Sequence, residues 1–225
     1  MKIKWLGQAG LWMEHENLKI MIDPYLSDSV KKINPKNYRR VQVKEELFDL
    51  KPDVMIFTHN HLDHYDPETV QRFLNADTNI TILAPTSVWG EVRKYGGNHN
   101  YVQFNRHIEW TQNGIRFAAV LASHSDITPI GVIIEADKKK YYITGDTLYN
   151  TEIFTDLPQD IYAVFLPVNG VGNNMNMEDA KRFCEKIQPQ FAVPMHCGLF
   201  DRIDMHNFAY EKKIVPEFYQ EIKLL

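Results

Sequence analysis

Between Thr58 and His64 the chain sets three imidazoles and a carboxylate, His59, His61, Asp63 and His64, directly behind the apolar run 54–57. Desolvating that many ionisable groups without compensation costs several kcal/mol apiece, so a fold that accepts this stretch must neutralise it. Cations held between the side chains are one way to do so. A helix N-terminus capped by His and Asp is the plainer alternative, but Asp66 ahead of Pro67 already fills the cap position.

Three more ligand-competent residues each close an apolar stretch. His124 follows 120–123, Asp146 follows 142–145, and His196 follows 192–195. Residues at strand ends along one rim of a sheet are well placed for a shared site, because the strand fixes the root of its loop. His59 and His61, two apart on extended chain, project to the same side. Gly145 and Gly198 beside the distant donors allow close backbone approach. Seven donors suit two cations, so the residues point to a binuclear metal centre of a hydrolase.

The remaining pattern predicts the frame. Runs at 2–6, 11–15 and 18–22 alternate and are broken by Gly7, Gly10 and Glu16-Asn17, which reads as a strand meander ending at Asp23-Pro24. Residues 26–43 are polar and carry the basic concentration Lys31, Lys32, Lys36, Arg39 and Arg40, as expected of a solvated loop or a mobile flap. Beyond Val54, strands alternate with helices. Helices are expected at 67–74, 86–95 and 207–213, and behind the cap Asn176, where Ala180, Phe183, Cys184 and Ile187 make an apolar face. Further strands are expected at 80–84, 108–111, 115–121, 130–135, 141–144, 162–166 and 190–194. No linker interrupts the pattern, so residues 1–225 are expected to form a single α+β domain, a four-layer αββα sandwich.

Bulk properties narrow the partners. The chain has 225 residues, 44% of them hydrophobic, enough for a sizeable core. A net charge of -4 argues against nucleic acid as the main partner. No apolar run reaches the ~20 residues of a membrane span, and the N-terminus lacks a secretory h-region. Only two cysteines, Cys184 and Cys197, fit a reducing compartment, and the cytoplasm is the expected location. Trp89, Tyr95 and Tyr101 are expected to be exposed and could serve an interface between copies in a homo-oligomer. His15, His99, His107 and His206 have no partner motif and are expected to be surface or structural.

The motif His59-x-His61-x-Asp63-His64, with single His, Asp and His residues at later strand ends, resembles the metallo-β-lactamase superfamily across essentially the whole chain. The opening 5–10 and Asp23-Pro24-Tyr25 are similar to it too. More narrowly, 166–170, 172–175 and 178–180 look like the ascorbate-6-phosphate lactonase branch, although the chain lacks that branch's Arg-containing segment between the Asn169-Gly170 and Gly172–Met175 elements. The resemblance implies that His59, His61 and His124 hold one metal. Asp63, His64 and His196 would hold the other, with Asp146 bridging.

That assignment implies hydrolysis of a small anionic ester or lactone by a metal-bridging hydroxide, with Asp63 as proton shuttle. Zinc is the expected ion, with manganese or iron(II) also suited to His and carboxylate donors. Thr58, Ser123, Thr144 and Thr147 flank donors and could orient them. Asn169, Asn173 and Asn174 sit on a loop at the expected rim and could bond a polar substrate. The alternatives are a phosphodiesterase or nuclease of the same superfamily and, ranked last, an iron oxidoreductase with a flavin partner. An RNA gripper would normally carry an added arm, and no flavin-binding segment is present.

Overall fold

Period-two apolar patterning produces two six-stranded sheets, each ordered in space as it is in sequence. The computed structural model describes residues 1–224. The first sheet holds β1 (Lys2–Gly7), β2 (Gly10–His15), β3 (Leu18–Ile22), β4 (Val54–Ile56), β5 (Thr81–Ala84) and β6 (Asn100–Gln103). Its first three strands form the expected antiparallel meander, and the rest run parallel to β3. The second sheet holds β7 (Glu109–Gln112), β8 (Ile115–Leu121), β9 (Ile130–Ala136), β10 (Lys139–Ile143), β11 (Ile161–Pro167) and β12 (Phe191–Met195). It too passes from antiparallel neighbours, β7 to β10, into parallel ones, β10 to β12.

Alternation assigns the faces. Trp5, Leu11, Met13, Ile20, Ile22, Val54 and Ile56 meet Phe117, Val132 and their neighbours in one core. From the opposite face of the same strands, Leu6, Trp12, Met21, Met55 and Ile82 pack under α2 (Pro67–Phe73) and α3 (Thr86–Val92) through Val70, Phe73, Val88 and Val92. The fourth helix, α4 (Met177–Ile187), lays Ala180, Phe183 and Cys184 on the second sheet, its N-cap Asn176 accepting from the Asp179 amide. The result is the expected αββα sandwich. Among the described residues no helix is long and apolar enough to cross a membrane.

Three expectations are corrected. The 26–43 segment is anchored rather than a free flap: it contains α1 (Ser29–Ile33), and Arg39 donates to the Tyr25 carbonyl at 2.6 Å and the Tyr219 hydroxyl at 2.8 Å. The helix expected at 207–213 is only a 3-10 turn, Met205–Asn207, because the following chain pairs with an open strand edge instead. The Ala192 amide donates to the Lys212 carbonyl, and the Ile214 amide to the Ala192 carbonyl. Trp89, Tyr95 and Tyr101 are half-buried against the α2/α3 core, with Trp89 Nε1 donating to the Tyr101 carbonyl and the Tyr101 hydroxyl to the Gly96 carbonyl.

The C-terminal stretch crosses one side of the sandwich. After pairing with β12 it reaches β1, where Tyr219 N donates to Trp5 O at 2.9 Å and Ile222 N to Ile3 O at 2.7 Å. Phe218 stacks on Trp5 with ring centroids 4.3 Å apart.

Candidate metal centre

The loop that leaves β4 carries four of the predicted donors. A helical turn within it, with the His64 and Tyr65 amides both donating to the His61 carbonyl, carries Asp63 and His64 round to a second donor group while the His64 ring stays 4.0 Å from that of His59. His124 comes from the loop after β8, Asp146 from the loop after β10, and His196 from the end of β12. All seven converge at one end of the sandwich. Their donor atoms fall into three overlapping groups, each with members within 4.8 Å of one another: His59, His61 and His124; His59, His64 and Asp146; Asp63, His64 and His196.

Hydrogen bonds on the far side of each ring set which nitrogen points inward. His64 Nδ1 lies 2.8 Å from a buried Asp23 carboxylate oxygen, leaving Nε2 facing Asp146 Oδ1 at 3.3 Å and His196 Nε2 at 3.2 Å. His124 Nδ1 is 3.1 Å from the Asn173 carbonyl, and its Nε2 is 3.0 Å from His61 Nδ1. His59 Nδ1 is 3.1 Å from Thr58 Oγ1, and its Nε2 is buried with no hydrogen-bond partner among the described residues. Asp146 lies between the groups, its Oδ2 3.2 Å from His196 Nε2 and 3.8 Å from His124 Nε2.

This pattern fits divalent cations. An orphaned buried nitrogen costs about 1–3 kcal/mol, and imidazole lone pairs facing one another at 3.0–3.2 Å repel unless a proton or metal sits between them. The charges agree. Burial opposes ionisation of Asp63 and Asp146, but His196 and His64 outweigh it and hold both carboxyls below their ordinary range. Burial pulls the His64 and His196 values down, but the facing carboxylates, Asp146 foremost, reverse this and lift His196 to about 9. Burial depresses His59 and His124. Protons therefore compete with cations for the His64 and His196 nitrogens.

The flanking residues divide. Thr58 touches a donor: its hydroxyl donates to Asp23 at 2.5 Å and lies against the His59 ring. The Ser123 hydroxyl accepts from Asn150 Nδ2 instead, and the Thr144 and Thr147 hydroxyls donate to the Gly145 and Leu148 carbonyls. Asn169 Nδ2 is 3.0 Å from His196 Nδ1, and Asn173 lines the cavity mouth. Asn174 is not at the rim. It is buried, donates to Asp146 Oδ2 at 2.8 Å and accepts from the Thr147 amide, so both ends of its amide are occupied within the protein. His15, His99, His107 and His206 bond Asp137, the Ile80 amide, Asp156 and Asp204, all outside the centre.

Two site residues were given no role from the sequence. Asp23 accepts from the Thr58 amide, the Thr58 hydroxyl and His64. Its signal was present, since it closes an apolar strand just as His124, Asp146 and His196 do. Gln8 donates to Asp63 Oδ2 at 2.8 Å and meets the His196 ring at 3.2 Å. Only its left-handed backbone, φ +52°, sets it apart, and that is not legible in sequence.

Histidine and aspartate donors gathered at the loop end of two stacked mixed sheets define a class as well as a site. The chain belongs to the metallo-β-lactamase superfamily: the family model for the beta-lactamase superfamily domain matches residues 2–196. It is accordingly a metal-dependent hydrolase, and its relatives agree. It is similar to a UPF0173 protein of Pyrococcus furiosus, 28% identical over 213 residues covering 94% of this chain and 90% of that one. A UPF0173 metal-dependent hydrolase of Bacillus thuringiensis is 28% identical over 234 residues, covering 95% and 93%. In fold the chain matches a possible metal-dependent hydrolase from Veillonella parvula, with TM-score 0.82 and 20% identity over 99% of this chain and 98% of that one.

Proposed function

We propose that the protein hydrolyses a small ester or lactone at a binuclear centre, with His59, His61 and His124 on one ion, Asp63, His64 and His196 on the other, and Asp146 between them. The observation that carries this reading is the chain of three donor groups, joined through His59 and His64, with a His59 Nε2 that no described residue satisfies. Two divalent cations bound here would supply hydroxide at neutral pH and a Lewis acid for the oxygen that gathers charge. Zinc is the first choice, with manganese or iron(II) compatible with the same donors.

The chain's own groups do the rest. Asp63 faces the cavity with one oxygen on Gln8, and we assign it to take the proton released as water attacks and return it to the leaving oxygen. Asp23 and the Asn173 carbonyl hold His64 and His124 in the tautomer that leaves Nε2 free. Asn169 and Asn173 stand on the cavity wall where an ester or lactone oxygen can be met. The phosphodiesterase or nuclease alternative finds no Lys or Arg on that wall among the described residues. Both cysteines are free, and burial pushes their thiols up to about 12. Unreactive thiols of this kind fit the proposed cytoplasmic location.

The test is reconstitution with zinc, manganese or iron, a metal count, and a panel of lactones, thioesters and phosphodiesters. Two ions per chain and ring opening that His61→Ala abolishes are expected. A single ion, or activity that survives the substitution, refutes the binuclear reading.

A further inference from the structure

The cavity beside the centre has a wall chemistry that selects substrates by charge. Its volume is about 330 Å³, at the small end for ligand sites. Beyond the donors it is lined by Val30, Val171 and Phe200 on the apolar side, by asparagines, and by Asp201, whose Oδ1 accepts from the Gly198 and Ile203 amides. Val171 is 63% exposed, so its side chain is free to contact a ligand in the cavity. Among the described residues no Lys or Arg lines the cavity.

Arg39, Arg40, Lys31 and Lys32 are committed elsewhere, whereas Lys36 and Arg202, next to Asn37 and Asp201 in sequence, are exposed and do not line the cavity. Arg39 spends its guanidinium on the Tyr25 carbonyl, the Val41 carbonyl and the Tyr219 hydroxyl. Arg40 donates to the Phe200 carbonyl and lies over the Tyr38 ring. Lys31 and Lys32 pair with Asp28 and Glu68. Sites that recognise carboxylates or phosphates normally offer them a charge-assisted donor, most often Arg. A distal anion on a substrate seated here would find only neutral amide and hydroxyl donors, Asp201 and apolar carbon. The expectation from sequence of an anionic substrate finds no cationic side chain on this wall to meet it.

From this we infer that the preferred substrate is uncharged apart from its reacting group and carries a short apolar substituent that packs against Val30, Val171 and Phe200. The inference rests on the hydrolase reading above and narrows it to a substrate class.

The test pairs an alkyl-substituted lactone with the same ring carrying a sulfonate on the substituent, a weak metal ligand that reports on the wall rather than the ions. With metal-loaded protein, kcat/KM for the uncharged lactone should exceed that for the sulfonate by about tenfold or more, the scale of one unfavourable charge. Val171→Lys should narrow the ratio, since it places a cation on the wall without touching a donor. Lys36→Ala and Arg202→Ala, which remove the exposed cations flanking Asn37 and Asp201 in sequence, should leave it unchanged. Preference for the sulfonate, or its selective loss in either alanine variant, overturns the inference. Turnover of neither lactone counts against the hydrolase reading alone. Calorimetric binding of the matching lactams then decides: tighter binding of the uncharged lactam supports the inference, and tighter binding of the sulfonate overturns it.

Discussion

Replacing Asp23 by Asn changes one atom at the back of the centre and should be felt at the front. The carboxylate is fully buried and accepts from the Thr58 amide at 2.8 Å, the Thr58 hydroxyl at 2.5 Å and His64 Nδ1 at 2.8 Å. An Asn amide can keep its oxygen on the Thr58 amide, which turns its NH2 toward the other two partners. The hydroxyl can rotate to accept; the imidazole can do so only by giving up its Nδ1 proton. That proton then sits on Nε2, the nitrogen facing Asp146 and His196. Hydrogen bonds to a charged group contribute roughly 1 kcal/mol more than neutral ones, so three of them amount to about 3 kcal/mol. In a chain of this length that corresponds to a Tm lower by about 6–12 °C. Losing the partner that orients a ligating imidazole typically costs about 10–100-fold in metal affinity. Competition with a chromogenic chelator and calorimetric melting measure the two effects separately. Two ions retained at unchanged affinity in Asp23→Asn would refute the tautomer argument, even if the Tm fell.

Tyr142→Phe should stabilise the protein by about 1 kcal/mol, raising Tm by about 2–4 °C, because the Tyr142 hydroxyl is buried without a partner among the described residues; a lower Tm contradicts this. Gly145→Ala should lower the denaturation midpoint by an amount equivalent to about 2 kcal/mol or more. Its φ is +61°, and a Cβ there would lie 2.9 Å from the Ile130 carbonyl oxygen and from Thr58 Cβ. Asp156 is held below the usual carboxylate range, first by its Arg106 hydrogen bonds at 2.7 and 2.8 Å. Since its folded value is depressed, its contribution is present above the unfolded value of about 4 and is lost as pH falls through the folded one. Asp156→Asn should therefore cost about 1–2 kcal/mol at pH 7, limited by the solvent around the exposed Arg106. In urea unfolding across pH 2–7 the gap to the parent protein should close at the acid end; a constant gap refutes the linkage.

The layers and the donors were legible because each rests on a local signal. Strand faces follow a two-residue period that core burial enforces, as in Trp5, Leu6, Leu11 and Trp12. The donors stand out because an ionisable residue at the end of an apolar strand is conspicuous in composition alone. What sequence did not reveal depends on partners distant in the chain. The 207–213 segment has helical periodicity, yet an open edge of β12 offered its backbone better hydrogen bonds. Asn174 read as a rim residue because its neighbours are Asn and Gly; only the approach of Asp146, 28 residues away, shows it turned inward. Gln8 became a site residue only when β1 and β12 ended side by side, where the His196 amide donates to the Gln8 carbonyl.

That neighbourhood is maintained by the chain's closing stretch, which ties the outermost strand of one sheet to the outermost strand of the other. It works as a tether across the seam, and it also masks two ladders of free amides and carbonyls that would otherwise invite strand addition by another molecule. A proteolytic nick near Pro216 would leave most buried residues in place. It would nonetheless release the clamp that keeps Gln8 and His196 in register, so damage remote from the donors would be felt among them.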